Sequence, residues 1–126
     1  MYVCVAVERN LTNRVGEIVG FGETTEDNPT MPCTLQRAYI QIFTNRECNE
    51  LELPSNIPSP RILCAGVIGG GVDSCLGDSG GPLQVVDNGM FVLTGIVSFG
   101  FGCGKVGYPG IYTNVYYFLD WIKENT

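Results

Sequence analysis

A chain of 126 residues with a net charge of −6 is one domain by length, or a piece of a larger one. Its 44% hydrophobic and 16% charged content suits a packed core and excludes a disordered chain. The charge balance holds no basic cluster and no apolar run reaches bilayer-spanning length, so neither nucleic acid nor membrane is an expected partner.

In chain order, the opening "MYVCVAVERN" lacks a basic n-region, an adequate apolar stretch and a cleavage site. "VGEIVGF", Val15 to Phe21, reads as a strand, and "ETTEDNPTMP", Glu23 to Pro32, as a polar loop. "LQRAYIQIF", Leu35 to Phe43, is rich in β-branched and aromatic residues and predicts a second strand. Thr44 and Glu47 have capping-box spacing, so a short helix is expected to carry Cys48. "LPSNIPSPR", Leu53 to Arg61, is a loop broken by three prolines, and "ILCAG" a short strand. "PLQVV" and "MFVLTGIVSF" flank Asp87-Asn88-Gly89, a hairpin signal. "GIYTNV" is a further strand, after which Phe118, Trp121 and Ile122 recur at helical spacing with Asn114 as N-cap. The 17 glycines and 7 prolines agree with short strands, and the expectation is an all-β chain of about six antiparallel strands and a terminal helix.

Six cysteines stand at 4, 33, 48, 64, 75 and 103. None forms a close Cys-x-x-Cys pair and the chain has no histidine, so disulfides are the better reading than a zinc site. No metal and no cofactor is expected. Disulfides place the protein in an oxidising compartment, with which the glycosylation acceptor Asn10-Leu11-Thr12 agrees. A secreted protein that carries no export signal suggests a fragment, a processed chain or an incomplete gene model.

The segment "DSCLGDSGGPLQ", Asp73 to Gln84, sets a serine among glycines. Gly77-Asp78-Ser79-Gly80-Gly81 matches the G-x-S-x-G elbow of α/β-hydrolases. That elbow requires a helix after the serine and a histidine downstream, and here a strand signal follows and no histidine does. The remaining readings are a glycine-rich turn with a surface serine, or a loop whose backbone does the work. In the second, the N–H groups of Gly77 and Ser79 would hold a developing oxyanion.

The motifs "DSCLGDSGGPL", "GIVSFGFGCG", "PGIYTNV" and the closing "YYFLDWIKEN", with "GEIVGFGET" and "ILCAG" matching more loosely, decide between them. On these the chain resembles the C-terminal half of the chymotrypsin/trypsin family of serine endopeptidases, from roughly Cys4 to Thr126. The resemblance implies a single six-stranded antiparallel Greek-key barrel with a C-terminal α-helix over residues 1–126, the N-terminal barrel being absent. It makes Ser79 the nucleophile, the amides of Gly77 and Ser79 the oxyanion hole, and Asp78 the zymogen switch that accepts a newly cut α-ammonium. Asp73, six residues before Ser79, falls where a family member selecting Arg or Lys places its pocket acid. Gly100 and Gly110 match the pocket walls, and Ser98, Phe99 and Gly100 the edge that pairs with substrate backbone. The family usually has Trp where Phe99 stands, and plain core packing is the other reading of that ring.

Cys75–Cys103 and Cys48–Cys64 fall where the family forms bridges, while a further family bridge at the positions of Gly16 and Val85 is absent as a pair. Cys4 fits a position that bonds to a propeptide or upstream domain, and Cys33 has no familiar partner. A Cys4–Cys33 bridge and free or intermolecular thiols stay open. Pro109 in place of an aromatic residue argues against sodium activation.

In this family the catalytic His and Asp precede the serine and belong to the other barrel. The resemblance therefore implies the serine-bearing part of a trypsin-like endopeptidase, secreted, inactive alone and acting on Arg/Lys-containing peptides with an N-terminal barrel chain or upstream domain. The alternative is a non-catalytic homologue serving as a binding or regulatory module. A lone half should expose the apolar side meant for its partner and associate.

Overall fold

The computed structural model describes the backbone of residues 4–5 and the whole of residues 11–51, 53 and 59–126. Strands run over Cys4–Val5 (β1), Val15–Gly20 (β2), Gln36–Ile42 (β3), Ile62–Gly66 (β4), Pro82–Asp87 (β5), Met90–Phe99 (β6) and Gly110–Asn114 (β7). Two short helices cover Asn45–Glu50 (α1) and Leu119–Asn125 (α2), the latter entered through a 3₁₀ turn at Val115–Phe118. Asn10 of the glycosylation acceptor, and most of the proline-broken loop, lie outside the described residues.

Strands β2, β3 and β4 form one antiparallel meander and β5, β6 and β7 another. Pairing of β2 with β5 and of β4 with β7 closes them into a six-stranded antiparallel barrel. The expected six-stranded barrel with a terminal helix is therefore present, with β1 added as a parallel pair on Val92 and Leu93 of β6. Closure leaves the barrel strands without free edges between the meanders.

Alternation along the strands fills the interior. Ile18, Ile40, Ile42, Leu83, Val85 and Val92 point inward and are 5% exposed or less. Burying each such side chain contributes roughly 1.5–3 kcal/mol. Thr94 is the buried polar residue among them, and its hydroxyl donates to the Val92 carbonyl at 3.1 Å. Where the family would bridge Gly16 to Val85, Val85 fills the core instead and Gly16 lies against Leu83.

Local signals set the connections. Between β5 and β6, Asn88 and Gly89 both take positive φ, 49° and 77°, as a tight primed hairpin turn requires. At α1 the capping box is complete: Thr44 Oγ1 accepts from the Glu47 amide at 3.1 Å, and the Thr44 amide donates to Glu47 Oε2 at 2.7 Å. The expected capping role of Asn114 is different in detail. Its side-chain amide donates to the Pro60 carbonyl at 2.9 Å and makes no cap bond, so a distant loop has taken the group. Of the apolar residues spaced for α2, Ile122 packs on the core while Trp121 stays 62% exposed.

Candidate active site

Residues 75–81 fold as two consecutive turns. The Asp78 amide donates to the Cys75 carbonyl at 3.0 Å, and the Gly81 amide to the Asp78 carbonyl at 2.9 Å. The loop is pinned to β6 by Gly80 N–H to Val97 O and Val97 N–H to Gly81 O, both 2.9 Å. Gly77 takes φ 94°, a conformation open to glycine and strained for other residues. Ser79 sits exposed at the turn between these bonds. Among the described residues the amides of Gly77 and Ser79 have no acceptor and the Ser79 hydroxyl has no partner, so all three are available to a ligand.

Asp78 points away from the serine. Its Oδ1 accepts from the Gly22 amide and its Oδ2 from the Cys75 amide, each at 2.9 Å. The carboxylate lies flush against the backbone of Gly20 and Gly22, just past the end of β2. The residue before Ser79 is thus tied to the loop that joins β2 to β3.

Asp73, Ser79, Ser98, Phe99, Gly100 and Gly110 line one hollow of about 280 Å³. Asp73 is half-buried there; its Oδ1 accepts from the Ser74 amide at 2.8 Å and its Oδ2 from the Gly104 amide at 3.0 Å. Loss of water around the carboxyl pushes its pKa up, and the nearby Asp78 and Glu26 charges add to this while the two amides oppose it. Gly100 and Gly110 face one another across the wall: a Cβ built on Gly100 would lie 3.9 Å from the Gly110 Cα. Beneath Asp73 the Ser74 hydroxyl meets the Tyr112 hydroxyl at 3.0 Å. Tyr112 is fully buried, and that burial pushes its phenol pKa up.

Strand β6 changes register between Val97 and Phe99 as it reaches the hollow. This irregularity leaves Ser98, Phe99 and Gly100 exposed at the end of the strand. Phe99 is 50% exposed, which sets aside the core-packing reading, and it meets Phe101 edge-on at 6.0 Å.

Disulfides join Cys48 to Cys64 and Cys75 to Cys103, with Cα separations of 6.0 and 5.4 Å. The second ties the serine loop to the opposite pocket wall, since both its cysteines line the hollow. Cys33 is a free, exposed thiol; the side chain of Cys4 lies outside the described residues. No group of metal-ligating side chains occurs among the described residues.

Sequence reasoning missed Ser74, Tyr112, Gly104 and Glu26 at this site. The Cys75–Cys103 bridge was a signal for Gly104, because the neighbour of a bridged cysteine must lie near Asp73. Nothing local marked Glu26, which comes from the β2–β3 loop.

The family model described as Trypsin matches residues 2–122. Trypsin-1 of Astacus astacus is 45% identical over 108 residues, covering 86% of this chain and 45% of that protein. Transmembrane protease serine 11G of Mus musculus is 43% identical over 110 residues, 86% of this chain and 26% of that protein. Hepatocyte growth factor activator serine proteases of Canis lupus familiaris is 39% identical over 108 residues, 86% and 16% respectively. The chain spans less than half the length of each of these relatives.

Proposed function

The chain belongs to the trypsin family of serine proteases, and from that premise we propose that it carries the nucleophile and specificity pocket of an endopeptidase cleaving after Arg or Lys. The observation that carries this reading is a single hollow with Ser79 at one part of its lining and Asp73 at another, walled by Gly100 and Gly110. A basic side chain enters the hollow and pairs with Asp73; a guanidinium does so through a fork of N–H donors. Leaving such a carboxylate without a cation in the complex is disfavoured, which discriminates against neutral side chains. The substrate backbone lies along Ser98 to Gly100 as an added strand.

The acyl-transfer chemistry is that of the family. Ser79 Oγ attacks the scissile carbonyl carbon and gives its proton to a base. The oxyanion that forms accepts from the free amides of Gly77 and Ser79, each such donor being worth ~2.7–4 kcal/mol of barrier. Collapse of the tetrahedral intermediate expels the protonated amine, and water then releases the acid from Ser79. These 126 residues contain no histidine, so the base comes from outside them. In an unrelated serine protease, loss of the histidine alone lowered turnover by roughly 10⁶. Asp78 in this reading exchanges its Gly22 and Cys75 amides for an α-ammonium when the enzyme is activated. The two disulfides favour an oxidising, extracellular location.

The test supplies a His- and Asp-bearing barrel, by co-expression or in a longer gene product, and compares kcat/KM on Arg, Lys and Phe amides. Arg and Lys turnover that disappears in Ser79→Ala supports the reading; equal turnover of Phe, or none of any substrate, overturns it. A second reading, a non-catalytic binding or regulatory module, holds if the completed protein also lacks that histidine. Under it the completed protein binds basic peptides and leaves them intact.

A further inference from the structure

Two hollows meet at Asp73. One holds Ser79 and the pocket walls; the other, of about 310 Å³, runs beside Asp78 and the end of β2. Glu26 lines both. It belongs to the β2–β3 loop, far before Asp73 in the chain. Its Oε2 lies 3.8 Å from the Lys105 ammonium, and its side chain is the less exposed of the pair, 37% against 56%. Lys105 reaches it over Gly102, where a Cβ would stand 2.6 Å from the lysine Cε. Gly102 lines the Ser79 hollow but Lys105 does not. The lysine therefore approaches from the outer side of the wall, and Glu26 is shared between an internal cation and the hollow.

We propose that Glu26 is a specificity-determining residue of the Asp73 hollow, a second carboxylate that attracts a cationic substrate side chain and that Lys105 partly neutralises from behind. The inference rests on the Asp73 pocket reading and adds a residue to it. A half-exposed ion pair of this kind is a weak clamp on the two loops, and Glu26 also lines the hollow that Asp73 lines. Burial is what mainly raises the Asp73 carboxyl pKa, and the field of Glu26, on the same lining, adds the smallest of the contributions. The same field acts with opposite sign on a cation drawn to Asp73. The lysine supplies the chemical precedent, since an ammonium is what Glu26 already holds.

The two roles differ in sign. If Glu26 and Lys105 only strap loops together, removing either weakens binding. If Glu26 attracts the ligand, removing Glu26 weakens binding and removing the lysine charge strengthens it. The experiment titrates the 126-residue chain with benzamidine by calorimetry, alongside Glu26→Gln, Glu26→Asp, Lys105→Gln and Asp73→Asn. Glu26→Gln is expected to lose about three- to fivefold in affinity and Lys105→Gln to gain about twofold, the size of a partly screened charge at this range. Glu26→Asp keeps the charge and most of the affinity, which separates a field from a folding defect. The salt dependence of binding should be shallower in Glu26→Gln than in the parent. Unchanged affinity in Glu26→Gln, or equal losses in Glu26→Gln and Lys105→Gln, overturns the inference and leaves the Asp73 reading intact. No binding by the parent, or parent-like binding by Asp73→Asn, overturns the Asp73 reading and this inference with it.

Discussion

Gly110 and Asp73 approach so closely that a Cβ on the glycine would stand 2.8 Å from the aspartate Oδ1. The same Cβ would meet the Tyr112 ring at 2.9 Å, and that ring is fully buried and cannot swing aside. Gly110→Ala should therefore both strain the strand and narrow the hollow. Overpacking of this kind costs about 1–3 kcal/mol. Urea unfolding should show that loss, and benzamidine affinity should fall by about tenfold or more if the misfit is felt in the pocket. An alanine variant with parent stability and affinity would mean the wall has more room than this contact implies.

Asp73 sets a pH dependence whose sign follows from its raised carboxyl pKa. The folded protein prefers the protonated form more than the unfolded chain does. Its stabilising contribution is present below the unfolded pKa and is lost as pH rises through the folded one. Asp73→Asn should remove that loss. One of the two amides that Asp73 accepts loses its acceptor in the variant, so its melting temperature should lie below the parent's under acid conditions, below pH of about 4, and should gain on the parent as pH rises toward neutral. Saturating benzamidine should stabilise the parent alone. Parallel melting curves across this range would count against a desolvated carboxylate.

Asp78 accepts two backbone amides, and an alanine there leaves both without acceptors. Each unsatisfied, partly buried group costs about 1–3 kcal/mol. Asp78→Ala should thus lose about 2–4 kcal/mol in a urea titration, whereas Asp78→Asn, with one oxygen left to accept, should lose less. Amide exchange at Gly22 should accelerate in the alanine variant. Equal losses in the two variants would show that charge rather than hydrogen bonding holds the loop.

The disulfides differ in reach. Cys48–Cys64 spans 16 residues and Cys75–Cys103 spans 28. Loop-closure entropy assigns roughly 3 kcal/mol to the shorter and about 3.6 to the longer. The double serine variants should therefore be similar in lost stability. They should part in ligand binding: only loss of Cys75–Cys103 loosens the wall beside Asp73 and weakens benzamidine. A matching loss of affinity without Cys48–Cys64 would contradict the separation of those two roles.

Elements whose ends are written locally could be read from the chain alone. Strand β6 begins and ends where the run Met90 to Phe99 does, because Asn88-Gly89 sets the turn before it and glycine follows it. The α1 capping box is equally local, three residues apart. Asn114 stands at the predicted N-cap position but makes no cap bond, because its side-chain amide is held by a carbonyl 54 positions away, a distance no local rule spans. The same limit applies within the hollow. The serine loop declares itself by its glycines, while Glu26 and the Ser74–Tyr112 contact depend on which loops the barrel brings together. Closure of the barrel, a property of the whole sheet, places them.

The hydrogen bond from Gly22 to Asp78 joins positions 56 residues apart and ends one residue short of Ser79. It ties the β2–β3 connection to the loop that carries Ser79. An antibody gripping that connection, or a nick within it, would act on the serine without ever entering the cleft.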